Sequence, residues 1–347
     1  MKPILIKGGG VAGLVTAFSL HRAGYKVAVC APQEAPQNSA SWFAGGMLAP
    51  FCEKESAPIE VQEWGLESLA WWKKHFNALI KTTGTLVLAP ARDKNELVHF
   101  ASRTQGHIMV AGTDIAEMEP DLAGRFSSGL FYKEEAYTNP RQLLLAIKTL
   151  LQKEKIPFFL PKNCEKQDNG ALASQNSCGA EDAPLGAENW SFIIDATGIS
   201  YKRYDKNLRG VRGEMILVET NEISLSHNIR FLHPRIPLYI VPRENNLFMI
   251  GATMIESDFS GAISARSMVE FLSSAYALHP AFSESRIVES SSGVRPAYAD
   301  NLPHISQNGR HICLNGFYRH GFLLAPKMAQ EILKIIQEKG KKGENFS

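Results

Sequence analysis

Cysteine is scarce in this 347-residue chain: Cys30, Cys52, Cys164, Cys178 and Cys313 are an odd five and form no CxxC pair. That spacing excludes a disulfide framework and a thiolate zinc site, and it suits a reducing compartment. The ten histidines show no HExxH or similar spacing, so no metal site is expected. No apolar run approaches the ~20 residues that a membrane-spanning helix needs. The opening "MKPILI" is too short for a secretory signal, and the expectation is a soluble cytoplasmic protein with no membrane partner. Charge of one sign is lacking too, the net value being +2. The nearest approach to a basic run is the tail "EKGKKGENFS", which is expected to fray in solvent rather than bind nucleic acid. Hydrophobic residues at 44% and charged residues at 21% are those of an ordinary globular protein. The length suits two domains, or one large α/β body with an inserted unit.

What is present begins at the front. "PILIK", Pro3 to Lys7, reads as a short buried strand. "GGGVAGLVTAFSLHRAGYKVAVC" follows, in which Gly8, Gly10 and Gly13 match GxGxxG, with a helix to about Ala23 and a second strand from Lys26 to Cys30. The first glycine permits the tight turn, and the second lets a pyrophosphate approach the backbone. The third lets helix and strand pack closely. Gly8, Gly10, Val11, Ala12 and Gly13 are therefore candidate dinucleotide contacts, on a helix N-terminus that offers free N–H groups and positive potential. The acidic residue that normally ends the second strand and holds the adenosine ribose is missing, because Ala31 stands there. Gln33 or Glu34 can replace it from the following loop, or be solvated loop residues. No arginine lies in Ala31 to Ala40 to meet a 2′-phosphate, which argues against NADP.

"SASWFAGGMLAPF" follows, and Ala44, Gly45 and Gly46 would let a backbone lie against a flat ring, or simply form a turn between elements. Pro58 to Phe76 has helical apolar spacing, with Trp64, Leu69 and Trp72 as core. A helix is expected after Asn139, with Pro140 in its first turn and Leu143, Leu144, Ile147 and Leu151 facing inward. Asn163 to Asn189 is polar, either short strands or a loose excursion. "SFIIDATGIS" then ends a strand in Ala196, Thr197 and Gly198, a second close approach to a nucleotide. "RGEMILVE", "IPLYIVPRENNLFMIGATM" and "SSGVRPAYADNLPHI" read as a large mixed sheet. The expected layout is a discontinuous cofactor domain (1–50, 138–205, 286–347) and a β-rich substrate domain (51–137, 206–285).

In order along the chain, "GGGVAGL", "AGGMLAP", "YIVPR…GATM" and "GVRPAYADNLPHI…NGFYRHGFLLAP" resemble the FAD-dependent amino-acid oxidases of the D-amino-acid oxidase superfamily. The likeness is strongest to the glycine oxidase branch of thiamine biosynthesis, the ThiO type, and spans nearly the whole chain. The resemblance implies an α/β fold with a Rossmann-like FAD-binding domain and a β-sheet substrate domain. It also implies noncovalent FAD and oxidation of a small amino acid to the imino acid, with O2 as acceptor giving H2O2. A homo-oligomer is expected on the same ground. Residue by residue, Arg295 matches the arginine that grips the substrate carboxylate, and Tyr239 the tyrosine that helps hold it. Met254 and Met47 match pocket-lining methionines, and Arg319 an arginine beside substrate and flavin. Gly316, Tyr318, Arg319, His320, Gly321 and Phe322 join Ala44 to Met47 and Ala196 to Gly198 as flavin contacts. Phe317 departs from the histidine usual in the family, and His320 from its asparagine.

The residue types fit that chemistry. Arginine offers a carboxylate two parallel charge-assisted bonds, where lysine offers a point charge. Arg295 could equally form a structural ion pair with Asp300 or Glu289. Tyr239 and Met254 could be core packing, and Arg319 a brace for the last helix. That helix starts near Gly321, and its positive end would favour negative charge on a flavin. A sarcosine or broader D-amino-acid oxidase, an NAD-dependent dehydrogenase and a non-catalytic FAD or NAD sensor are the rival readings. The dehydrogenase would leave "AGGMLAP" and the last segment without a role.

Overall fold

The computed structural model describes residues 2–161, 189–233 and 238–341. All but the last residue of the polar stretch Asn163 to Asn189 lies outside them, as do Cys164, Cys178 and the end of the tail. The chain divides into two compact units. The first is Met1–Trp42, Arg141–Arg209 and Arg295–Ser347, and the second is Phe43–Pro140 and Gly210–Val294.

The first unit is built on a 6-stranded sheet in the order His304–Asn308, His311–Asn315, Phe192–Asp195, Ile4–Lys7, Val27–Cys30, Phe158–Phe159. All neighbours are parallel except the pair at the His304–Asn308 edge. The central strands are continuous aliphatic runs because helices cover both faces of a parallel sheet. Ile4, Leu5 and Ile6 are accordingly at most 3% exposed. The helix Val11–Arg22 is buried along most of its length, from Val11 to Leu20, and packs against the helix Gly321–Lys341. Such all-round burial explains why its sequence is apolar rather than striped. The expected helix after Asn139 is Pro140–Lys153, with Leu143, Leu144, Ile147 and Leu151 fully buried.

The second unit carries a 9-stranded sheet. Its main path runs Ile255–Glu256, Arg209–Glu219, Leu247–Gly251, Leu238–Pro242, Asn228–Phe231, Thr85–Leu88, Ser128–Tyr132, Ile108–Ala111, and Arg286–Ala297 pairs beside Arg209–Glu219. One face is closed by the helix Ala265–Leu278, capped by Ser264, whose hydroxyl accepts from Ser267 N–H at 3.1 Å. Phe271, Ala275 and Leu278 are fully buried in the same cluster as Ile216, Ile229, Ile240 and Ile250. Each large side chain of this kind contributes about 1.5–3 kcal/mol on burial. A 3-stranded sheet joins Met47–Leu48, Ala136–Thr138 and Ile80–Lys81. Among the described residues, no helix is long and apolar enough to cross a membrane.

Candidate functional site

In the first unit the small residues singled out along the sequence meet at the carboxyl ends of the parallel strands. A β-carbon on Gly8, whose φ is +119°, would lie 2.3 Å from the Ala196 carbonyl oxygen. One on Gly13 would lie 2.0 Å from the Gly8 carbonyl oxygen. Both positions need glycine because backbone occupies the side-chain space. Gly8 therefore seats the turn onto Ala196 and Thr197, and Ala196 N–H donates to Lys7 O at 2.7 Å. Thr197 is locked by Asp195, whose Oδ1 accepts from Thr197 N–H at 3.0 Å and Thr197 Oγ1 at 2.6 Å. Asn315 donates through Nδ2 to Gly198 O at 2.9 Å, which ties the strand before "GFYRHG" to the same edge.

The last helix begins at this edge as well. A β-carbon on Gly321 would sit 3.4 Å from Val11 Cγ1, so the two helix starts lie side by side. Gly316, with φ +84°, is pressed against Tyr298, whose ring would lie 2.2 Å from an added β-carbon. Tyr318 N–H donates to Pro296 O at 2.8 Å, and Phe317 bridges Ala297. The half-buried Arg295 and Arg319 thus stand on backbone segments stitched to one another. Asp300, an alternative partner for Arg295, accepts from His304 at 2.8 Å. His320 and Phe322 are buried. Gln33 is exposed beyond the second strand.

Sequence reasoning missed Ser39 and Ser41. Ser41 Oγ accepts from Val11 N–H at 3.1 Å, and a β-carbon on Gly10 would meet Ser41 Oγ at 3.3 Å and Ser39 Cβ at 3.7 Å. Gly10 is the N-cap of the first helix and brings no side chain of its own to it. The signal was present as two serines two residues apart ahead of "AGGM". The cradle fits a dinucleotide: glycine backbone at the turn, a helix N-terminus with polar N–H groups, and hydroxyls beside it.

In the second unit, Gly46 (φ +77°) leaves only 2.3 Å between an added β-carbon and Thr138 O, and Gly45 packs on Met47 and Met249. Tyr239, Met215, Val241, Met249 and Tyr137 form one apolar cluster, with Met47 and Phe43 packed against it. Met47 and Tyr239 are therefore brought together. Met254 is 50% exposed.

The Tyr239 hydroxyl is held from two sides. It donates to Glu53 Oε1 at 2.7 Å and accepts from Arg230 Nη1. Arg230 lies 3.6 Å from Glu53 Oε1 and 3.5 Å from Glu55 Oε2, with its guanidinium over the Phe100 and Tyr239 rings. Burial works against its charge, yet Tyr239, Glu53, Cys52 and Glu55 together hold it above the ordinary arginine value. Fully buried Glu135 accepts from the N–H of Cys52, the residue before Glu53, at 2.7 Å. Burial pushes the Glu135 carboxyl up to about 7, although hydrogen bonds from Thr85 and Cys52 pull the other way. Burial also raises the Cys52 thiol well above its usual value. Glu53, Glu135 and Arg230 carried no motif and were not foreseen.

A parallel sheet, a glycine turn seated on a second strand end and two adjacent helix starts define a dinucleotide-binding α/β protein. The profile of the DAO family, FAD dependent oxidoreductases, matches residues 3–335, and the chain belongs to that family. FAD is its cofactor, and it is an oxidoreductase. The chain is 46% identical over 338 residues to a Rhizobium etli protein that carries the name of a thiamine biosynthesis oxidoreductase, ThiO, with 97% of each chain covered. It is 26% identical to the glycine oxidase of Pseudomonas putida, over 96% of this chain and 94% of that one. Among solved structures, glycine oxidase from Geobacillus kaustophilus shares the fold with a TM-score of 0.76 at 21% identity, covering 97% and 95%.

Proposed function

We propose that the chain oxidises glycine, or another small amino acid, to the imino acid, with O2 as acceptor giving H2O2, and that dehydroglycine for the thiazole of thiamine is the useful product. The reading rests on the 46% identity to the Rhizobium etli protein along 97% of both chains. When bound, noncovalent FAD would supply the two-electron acceptor for this chemistry. In this reading the first unit is the FAD-binding domain and the second the substrate domain.

The protein's own groups act by binding and positioning. Arg295 takes the substrate carboxylate through its two-pronged guanidinium. Tyr239, whose one hydroxyl proton goes to Glu53 here, would turn that proton from Glu53 to the substrate to help hold it. Met47 and Met254 wall the pocket, and Arg319 stands beside substrate and cofactor. Gly8 to Gly13 hold the pyrophosphate, with Ala44 to Gly46 and Ala196 to Gly198 against the cofactor. The start of the last helix at Gly321, next to Val11, would favour negative charge on the bound cofactor. Positioning alone lowers the barrier by several kcal/mol, so no protein base is required.

The test is kinetic. Arg295→Ala should lose about 2–5 kcal/mol in kcat/KM for glycine, measured as peroxide release. A loss below about tenfold, roughly 1.4 kcal/mol, removes Arg295 from the substrate site. Turnover of sarcosine or D-alanine in preference to glycine would keep the chemistry and change the substrate.

A further inference from the structure

Strand–glycine turn–helix–strand units normally finish the second strand on a carboxylate that takes the hydroxyl hydrogen bonds of the adenosine ribose. Here the residue is Ala31, 7% exposed. A β-carbon on Gly9 would lie 3.0 Å from Ala31 Cβ and 2.5 Å from Ala35 Cβ. The segment Ala31 to Ala35 therefore lies directly on the glycine turn, with the Ala31 and Ala35 methyl groups nearest to Gly9. Ala31 N–H donates to Phe159 O at 2.9 Å, and Ala35 N–H closes a turn onto Pro32 O at 3.0 Å. Pro32, Gln33 and Glu34 project to the exposed side.

One charged group reaches the segment from within the fold. Lys148, half-buried on the helix Pro140–Lys153, places Nζ 2.5 Å from the Ala35 carbonyl oxygen. An ammonium on a carbonyl is a charge-assisted bond, stronger than a neutral one. It spans 113 residues of sequence, so local chain geometry does not impose it. The ribose end of the cradle thus has a cation behind it and no carboxylate where one is expected.

We propose that Lys148 is a positioning residue for FAD: by clasping the Ala35 carbonyl it fixes the Ala31–Ala35 segment, so that backbone rather than a side-chain carboxylate meets the adenosine ribose. Recognition then depends on the shape of the segment and little on the ribose 2′-hydroxyl. Lys148 acts on the adenosine half of the cofactor alone.

The experiment uses the full chain freed of flavin and follows the quenching of flavin fluorescence as FAD or FMN is added. FMN ends at its phosphate and carries no adenosine. Lys148→Met keeps the aliphatic stem and removes the charge. It should raise the Kd for FAD about tenfold, the worth of one charge-assisted bond, and leave that for FMN within about twofold. Lys148→Arg should restore most of the loss. On the unaltered protein, FAD lacking the adenosine 2′-hydroxyl should bind within about threefold of FAD, since no carboxylate hydrogen bond is lost. An unchanged FAD affinity in Lys148→Met, or equal losses for FAD and FMN, would overturn the assignment. So would a 2′-deoxy analogue binding about thirtyfold more weakly, and that measurement needs no variant to fold.

Discussion

The glycine cradle of the first unit and the charge network of the second hold their shape by opposite means. The cradle works by leaving atoms out: Gly8 and Gly13 let backbone meet backbone at distances no side chain allows. Its binding power comes from N–H groups that the helix leaves over. The network works by crowding ions together, with Arg230, Glu53, Glu135 and Tyr239 all within 5% of full burial. Each of those groups is costly to bury alone and tolerable only with its partners. The cradle should thus fail when one atom is added, and the network when one charge is removed.

The largest effect is expected in the cradle. Gly13→Ala drives a methyl to 2.0 Å from the Gly8 carbonyl oxygen, a clash that only backbone movement relieves. It should cost more than about 4 kcal/mol, seen as flavin-free, thermally weak protein. A Gly13→Ala chain that retains FAD at full Tm would break the comparison. Next is Arg230→Met, which strands the buried Glu53 carboxylate and should cost about 3–5 kcal/mol in urea denaturation. Adding Glu53→Gln should return part of that loss, because the stranded charge is gone. An additive double mutant would show that the two residues do not form one unit.

A pH effect of intermediate size belongs to Glu135. Its carboxyl is raised from 4.5 to about 7, so between those values the folded chain keeps a proton that the unfolded chain releases. Stability therefore falls as pH rises through that window, by about 3 kcal/mol in all, and is level on either side. Glu135→Gln keeps an acceptor for Cys52 N–H and should flatten this component of the stability–pH curve. Parallel curves for the two proteins would contradict the raised value. The smallest effect is Ser41→Ala, which removes the acceptor for Val11 N–H and should cost about 1 kcal/mol, read as a lower Tm.

The same contrast explains what the sequence disclosed. Gly8, Gly10 and Gly13 stand between two short strands within thirty residues, and backbone chemistry of that kind is written locally. Ala196 to Gly198 and Gly316 stood out as small residues after a strand, and in the fold Gly8 meets Ala196 and Gly316 meets Tyr298. Glu53, Glu135 and Arg230 were not legible, since Tyr239 lies 186 residues from Glu53 and only the folded sheet joins them. Lys148 carried no motif, and only the fold sets it against Ala35, 113 residues away. Ala31 was visible as an absence, and the fold sets it on the glycine turn beside Gly9.

The most direct test of the account is an anaerobic titration of the purified protein with glycine, following the visible absorbance of the flavin. The account predicts bleaching by glycine, and recovery of colour with release of peroxide when air is admitted. Yellow protein that glycine, sarcosine and D-alanine all leave unbleached would contradict it.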